Sequence, residues 1–411
     1  MVRSTVADVD LDAIAHNFRA IREFLGSEPG LLRRPVRDSD QRHEDTTPRT
    51  HQAIESEERR AERQFGQAPP GIIAVVKANA YGHGAAPVAL ALERAGATML
   101  ACADIEEAIV LRRAGVQAEL LVFGALGVSD VSGVFEYRLT PTISTPSAGT
   151  ALQQAAARRN VRLDYHLKID TGMNRLGLRH DNLSRTLPDL LDSANLRLVG
   201  LYTHFATADD AEHPLMELQR TRFERVRADL AAQGIRPRLV HAANSAALLR
   251  DSRVWHDRVR PGLLLYGIVP PPLASTIPLR PALSLRSRLV AVKHIRAGEA
   301  VSYGARFSAA RPTRIAVVPA GYADGIDMRL AGRGVVLVRG RRAPIVGAVS
   351  MDMLMLDITD IEAYPGDEVV LLGRQGDERI DVREMASWIG SIPWEIVCRL
   401  GSRIERIHSG S

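Results

Sequence analysis

Lysine is almost absent from this chain. Of its 53 basic residues only Lys77, Lys168 and Lys293 are lysines, and the other 50 are arginines. Arginine carries charge and pairs with carboxylates, but near neutral pH it cannot give up its proton and act as a nucleophile; lysine can, once its pKa is lowered. Each surviving lysine is therefore either a chance survivor or a place where guanidinium cannot serve. Cysteine is scarce too: Cys102 and Cys398 are the only two, which excludes a disulfide framework, and they lack the spacing of metal ligands. No run approaches the roughly 18 apolar residues needed to span a bilayer, so no membrane partner is expected. The opening stretch MVRSTVADVDLDAIAHNF carries early acidic residues and no apolar h-region, so it does not read as a secretory signal and predicts a cytoplasmic protein. The net charge of +5 is modest and the two signs are interspersed, which gives no stripe for nucleic acid.

What the chain does have is a regular beat. Short apolar runs at 72–78, 98–104, 119–125, 139–145, 163–170, 198–205, 238–245 and 259–267 alternate with helical patterns, several of them closed by glycine. Eight such runs predict an α/β fold with an N-terminal (β/α)8 barrel over residues 1–275. The Pro-rich VPPPLASTIPLRP breaks the pattern, and alternating runs such as LSLRSRLVAVKHI, GVVLVRG and DEVVLLG follow it. They predict a mainly antiparallel C-terminal β domain over 276–411. Residues 27–69, crowded with both charge signs and poor in β-branched and aromatic residues, read as a charged surface insertion with a short helix near 53–65.

The barrel says where chemistry belongs, because active sites in this fold sit at the C-terminal ends of the strands. Lys77 ends the apolar run that starts at Gly71. Lys168 with Asp170, then His204, then Asn244 with Ser245, then Arg260 fall at the ends of later runs. Ser245 and Gly262 lie in the loops after the seventh and eighth strands, where these barrels commonly bind phosphate. A phosphate site beside a strand-end lysine fits pyridoxal 5′-phosphate held as a Schiff base. An aldolase-type lysine or a phosphorylated sugar fits the same spacing.

The stretches AVVKANAYGHG, HLKIDTGMNRLG, GLYTHFATADD, HAANSAA, RPGLLLYG, VSYGARF, PAGYADGI and PIVGAVSMDM together resemble the alanine racemase family, over nearly the whole chain except the insertion. The resemblance implies a pyridoxal-phosphate enzyme that interconverts L- and D-alanine for peptidoglycan. It also implies a homodimer in which each subunit completes the other's site. Lys77 would hold the cofactor and act as the acid/base on one face of the substrate, and Tyr303 of the neighbouring subunit would act on the other. Arg260 would face the pyridine nitrogen, and His204 would join Arg260 to Tyr303. Tyr81, Ser245, Gly262 and Leu263 match phosphate contacts. Arg175 and Met351 match contacts to the substrate carboxylate. Tyr322 and Asp352 match positions near the substrate entrance. Lys168 matches a lysine often carbamylated in the family, while Lys293 matches nothing catalytic.

The family commonly has a tyrosine where Trp394 falls, so the phosphate contact and the entrance differ here. That change leaves room for a racemase of broader specificity, for example toward serine. A decarboxylase of the same fold and a non-catalytic cofactor carrier are the further alternatives; Arg260 argues against the first and the β domain with Tyr303 against the second. The insertion enters on the N-terminal side of the strand before Lys77, at the barrel end away from the chemistry.

Overall fold

The computed structural model describes residues 4–27, 69–124 and 131–410. Residues 28–68, with nearly all of the expected insertion and its short helix, lie outside the described residues.

Eight parallel staves close into a barrel. The first is in two pieces: Gly71–Ile72 pairs with Arg258–Arg260, and Ala74–Val75 pairs with Met99–Cys102. Glu119–Val122, Thr140–Ile143, Leu163–Asp170, Leu196–Tyr202 and Leu239–Asn244 complete the ring in sequence order. Alternation along the staves explains the long apolar runs. Ile72, Ala74, Leu100 and Cys102 pack outward against the helices, whereas Ile73, Met99 and Ala101 form a separate cluster inside the barrel. Both faces are covered, so both must be apolar. The helices between them begin on side-chain caps. Asp104 accepts from the Glu107 N–H at 2.8 Å, and Thr145 accepts from Ala148 N–H at 3.2 Å just ahead of Pro146.

Two expected strands turn helical before their end. The run 72–78 ends as strand at Val75, and Lys77 opens a helical turn. The run 259–267 ends at Arg260 and becomes a 3-10 helix over Leu263–Tyr266. Pro261 removes a ladder donor, and all four helical side chains are buried, so their apolarity imitates a strand.

The second sheet has ten strands, mostly antiparallel. One of them is not C-terminal: Val6–Asp10 lies antiparallel to Leu283–Arg288 and parallel to Glu405–Ser409. Assigning all of residues 1–275 to the barrel therefore misplaces the first strand. Its five-residue alternation buries Ala7 and Val9 and turns Asp8 to Arg286 at 2.5 Å, a pattern that either sheet could accept. The helix Leu11–Ser27 then leads back to the barrel. Asn17 fixes it there, donating to the Leu265 and Arg280 carbonyls and accepting from Arg280 N–H.

Candidate active site

The lysine of the first stave sits on an unusual piece of backbone. Ala78, Asn79, Ala80 and Tyr81 have φ of 54°, 52°, 54° and 51°, and Gly82 follows at 82°. This is a full left-handed turn made without glycine, at a cost of about 1–2 kcal/mol per residue. Its surroundings over-determine it. Glu107 accepts from Ala78 N–H at 2.6 Å and from Ala103 N–H at 2.8 Å, one bond per carboxylate oxygen. Asn79 accepts from Ala85 N–H at 2.7 Å, and His83 Nδ1 donates to the Ala80 and Tyr81 carbonyls. A Cβ on Gly82 would fall 2.0 Å from the Val397 carbonyl oxygen, so the helix Pro393–Cys398 rests directly on the turn.

The turn aims Lys77 into a basic cluster. Burial holds its amine below the usual lysine range, and Arg175 pushes the same way. Lys168, on the same face of its strand as His166 and Asp170, is 6% exposed; burial first, then Arg175 and Arg260, brings it down to about 8. Arg260 is 3% exposed and makes no ion pair among the described residues. It donates to His241 Nδ1 at 2.8 Å, to the Thr203 and Ala242 carbonyls at 2.8 and 2.9 Å, and to His204 Nδ1 at 3.3 Å. Its guanidinium lies 5.3 Å from the centre of the Tyr202 ring, and burial lowers its pKa to about 10. A cation held only by neutral acceptors keeps its charge for an anion or lone pair brought to it.

Hydrogen-bond direction below Arg260 fixes two tautomers. Because the guanidinium donates to His241 Nδ1, the His241 proton is on Nε2, which donates to His166 Nδ1 at 2.9 Å. His166 then carries its proton on Nε2, which has no partner among the described residues. Burial pushes His166 down to about 3, and His241 and His204 well below the ordinary histidine range, with Arg260 adding to each. All three are neutral at physiological pH. Gly200 makes room for the relay, since a Cβ there would lie 2.4 Å from the His166 ring. His166 and His241 are absent from the expected site, although both stand in the motifs that suggested it. The period of two along Leu163–Asp170 puts His166 on the face of Lys168, which was the available signal.

The loops after the last two strands meet. Gly262 N–H donates to Ser245 Oγ at 3.0 Å, and a Cβ on Gly262 would lie 2.4 Å from the Tyr81 hydroxyl. Leu263 begins the 3-10 helix, where the leading N–H groups lack intrahelical partners. Asn244, counted among the cofactor contacts, uses its side-chain oxygen to cap the helix Ser245–Arg250, accepting from Ala247 N–H at 2.9 Å. Trp394 lies half-buried in the helix that covers the Lys77 turn.

The remaining expected residues divide by distance from the mouth. Asp170 accepts from Gly172 and Asn174 N–H at 3.0 Å each, shaping the loop that carries Arg175. Tyr303, Met351 and Tyr322 are 77%, 52% and 42% exposed on the β domain. Asp352 pairs with Arg403 at 2.5 Å. The structure thus gathers Lys77, Tyr81, Lys168, Asp170, Arg175, His204, Ser245, Arg260, Gly262 and Leu263, and leaves the β-domain residues facing outward.

Comparison with known families settles the fold's relatives. The family model "Alanine racemase, N-terminal domain" matches residues 50–270, and "Alanine racemase, C-terminal domain" matches residues 282–408. The chain belongs to the alanine racemase family. It is 42% identical to an alanine racemase of Symbiobacterium thermophilum over 353 residues, covering 85% of this chain and 93% of that one. It is 43% identical to alanine racemase 1 of Bacillus subtilis over 344 residues, covering 82% and 86%. Among solved structures, the Bacillus anthracis alanine racemase with bound L-Ala-P superposes with a TM-score of 0.83 at 35% identity, covering 100% of this chain and 96% of that one. Alanine racemases share this pairing of a parallel barrel with a largely antiparallel second sheet.

Proposed function

We propose that this chain interconverts L- and D-alanine with pyridoxal 5′-phosphate at the barrel mouth, and that Tyr303 of a second subunit completes each site. The observation that carries the reading is Arg260, a buried guanidinium with only neutral partners, set among Lys77, Lys168 and Arg175 in a chain of this family. The residues fit the cofactor. Tyr81, Ser245 and the Leu263 N–H would form a cradle for a phosphate, which would also draw the Gly262 N–H from Ser245 Oγ, and there is no room for a Cβ at Gly262. Lys77, its amine made easier to deprotonate by burial, would bear the carbonyl end, and Arg260 would face the pyridine nitrogen. When bound, the cofactor supplies an electron sink for the charge left by loss of the substrate α-proton.

The chain's own groups then divide the proton work. Lys77 Nζ takes or returns the α-proton on one face, and Tyr303 Oη does so on the other; inversion needs two such groups. Arg175 and the backbone N–H of Met351 would hold the substrate carboxylate, and Lys168, once carbamylated and so turned into an anion, would orient Arg175. With its pKa near 8, Lys168 offers a free amine fraction for carbamylation. Facing the pyridine nitrogen, Arg260 would keep its own proton, which would restrain the sink and favour return of the proton to the α-carbon. Tyr322 and Asp352 belong to the entrance in this reading, and Trp394 replaces a hydroxyl with an indole N–H near the phosphate.

The test is proton NMR of L-alanine in heavy water with holoenzyme, followed by chiral analysis. Loss of the α-proton signal with D-alanine appearing is the expected outcome. Persistence of that signal without D-alanine removes alanine as substrate, and a panel including serine then tests the broader-specificity reading favoured by Trp394.

A further inference from the structure

His83 is a buried imidazole that the proposed reaction does not use. It is 1% exposed, and its Nδ1–H is committed to the carbonyls of Ala80 and Tyr81 at 3.1 and 2.9 Å. Nε2 therefore carries a lone pair, and no donor among the described residues meets it. The ring lines a cavity of about 200 Å³ in the seam between the barrel and the β domain. Three charged side chains line the same cavity: Arg379, Arg383 and Asp381. Neither guanidinium has a carboxylate partner among the described residues. One oxygen of Asp381 caps the helix Val382–Ile389, accepting from Arg383 and Glu384 N–H, and the other has no such bond. The walls between these groups are apolar, from Leu283, Leu372, Val382 and Val397.

We propose that this seam cavity is a second amino-acid site, taking a free α-amino acid with an apolar side chain. The cations meet the α-carboxylate, Nε2 of His83 and the carboxylate of Asp381 accept from the ammonium, and the leucine and valine walls take the side chain. Burial keeps His83 neutral at physiological pH, with its pKa near 4, so Nε2 stays an acceptor rather than a repelling cation. A cavity this small, well under the usual volume of a drug-sized pocket, matches a single amino acid.

Position gives the site a route to the chemistry. His83 clamps the left-handed turn from behind, and Val397, whose carbonyl abuts Gly82, is also a cavity wall. Tyr266, another lining residue, donates to the Val75 carbonyl at 2.9 Å and packs 5.1 Å from the Tyr81 ring. A bond accepted by Nε2 polarises the two that Nδ1 donates to the turn. Occupancy at the seam is thereby felt at Lys77 and Tyr81.

The inference stands apart from the racemase reading, and the experiment separates them. Holoenzyme is first saturated with L-Ala-P, with loss of alanine turnover as proof that the catalytic site is filled; failure at this step counts against the racemase reading alone. Equilibrium dialysis with labelled L-leucine at millimolar concentration should then find about one saturable equivalent per chain. The analogue 4-methylpentanoate, which lacks the ammonium, should bind at least about tenfold more weakly, as should leucine to the Arg379→Ala/Arg383→Ala double variant. Leu372→Trp, which fills the cavity, should abolish binding, and retained alanine turnover in both variants shows that they are folded. Absence of saturable binding overturns the proposal, and so does binding that ignores the ammonium, the arginines or the filled cavity.

Discussion

His166 touches neither substrate nor any group proposed to meet it, yet it gives the buried His241 Nε2 proton its acceptor. With His166 as acceptor, His241 keeps its proton on Nε2 and offers Nδ1 to Arg260. In His166→Leu the Nε2 proton loses its acceptor, so His241 is left with an unpaired buried donor and is held less firmly under Arg260. The expected outcome is a fall in kcat of about tenfold with KM little changed, while His166→Gln, which can still accept, recovers most of the loss. Equal kcat in the two variants would sink this role. Lys168 gives a pH prediction of definite sign. Its pKa is about 8 in the folded chain and 10.5 unperturbed, so between those values the unfolded chain binds a proton that the native one does not. Stability from this group therefore rises with pH from about 8 to 10.5 and is lowest below 8. Lys77 is shifted the same way. Urea midpoints at pH 8 and pH 10 should show that Lys168→Met has a smaller rise than the parent chain.

The left-handed turn at Ala78–Tyr81 shows what elements add to residues. Glycine meets no Cβ clash at such φ values, but it gives up more freedom on folding. The two effects nearly offset, leaving Ala78→Gly more stable by at most about 1 kcal/mol. Activity should move the other way, because a backbone freed from strain holds Lys77 less firmly; a drop in kcat with a raised melting temperature is the expected pair. Glu107→Gln keeps one acceptor oxygen for two N–H donors and loses the charge, so it should destabilise by about 1–3 kcal/mol in urea unfolding. None of this turn was legible in the sequence. AVVKANAYGHG reads as strand followed by loop, since nothing in alanine, asparagine or tyrosine announces left-handed backbone; tertiary contacts from Glu107 and the helix Pro393–Cys398 impose it. The staves were legible, because burial on both faces writes long apolar runs, and Leu163–Asp170 matched its expected bounds. Val6–Asp10 was not, because a short alternating strand does not say which sheet it joins. The mouth residues on strand ends were found from topology, whereas His241 and His166 needed coordinates to show a hydrogen-bond direction.

At the scale of the whole molecule, the proposed reaction needs two groups that the described chain keeps apart. Lys77 is sunk in the barrel mouth, while Tyr303 is 77% exposed on the β domain, with Met351 and Tyr322 also exposed there. A tyrosine that must act at a dry reaction centre is misplaced in solvent unless another surface covers it. In the proposed dimer, two-fold symmetry would resolve this by letting each β domain serve the other barrel. Mixing tests it. Lys77→Ala and Tyr303→Phe homodimers each carry the same lesion at both sites. If Lys77 and Tyr303 come from different chains, a mixed dimer collects both lesions in one site and leaves the other intact. Random exchange makes half the dimers mixed, each with one working site in two, so equal mixing should restore about one quarter of the parent activity. If both residues came from one chain, every site in every dimer would keep a lesion, and mixing would restore nothing. Turnover of alanine before and after subunit exchange of the two inactive variants distinguishes these outcomes, and an increase that grows with exchange time and is absent in either variant alone is the expected one.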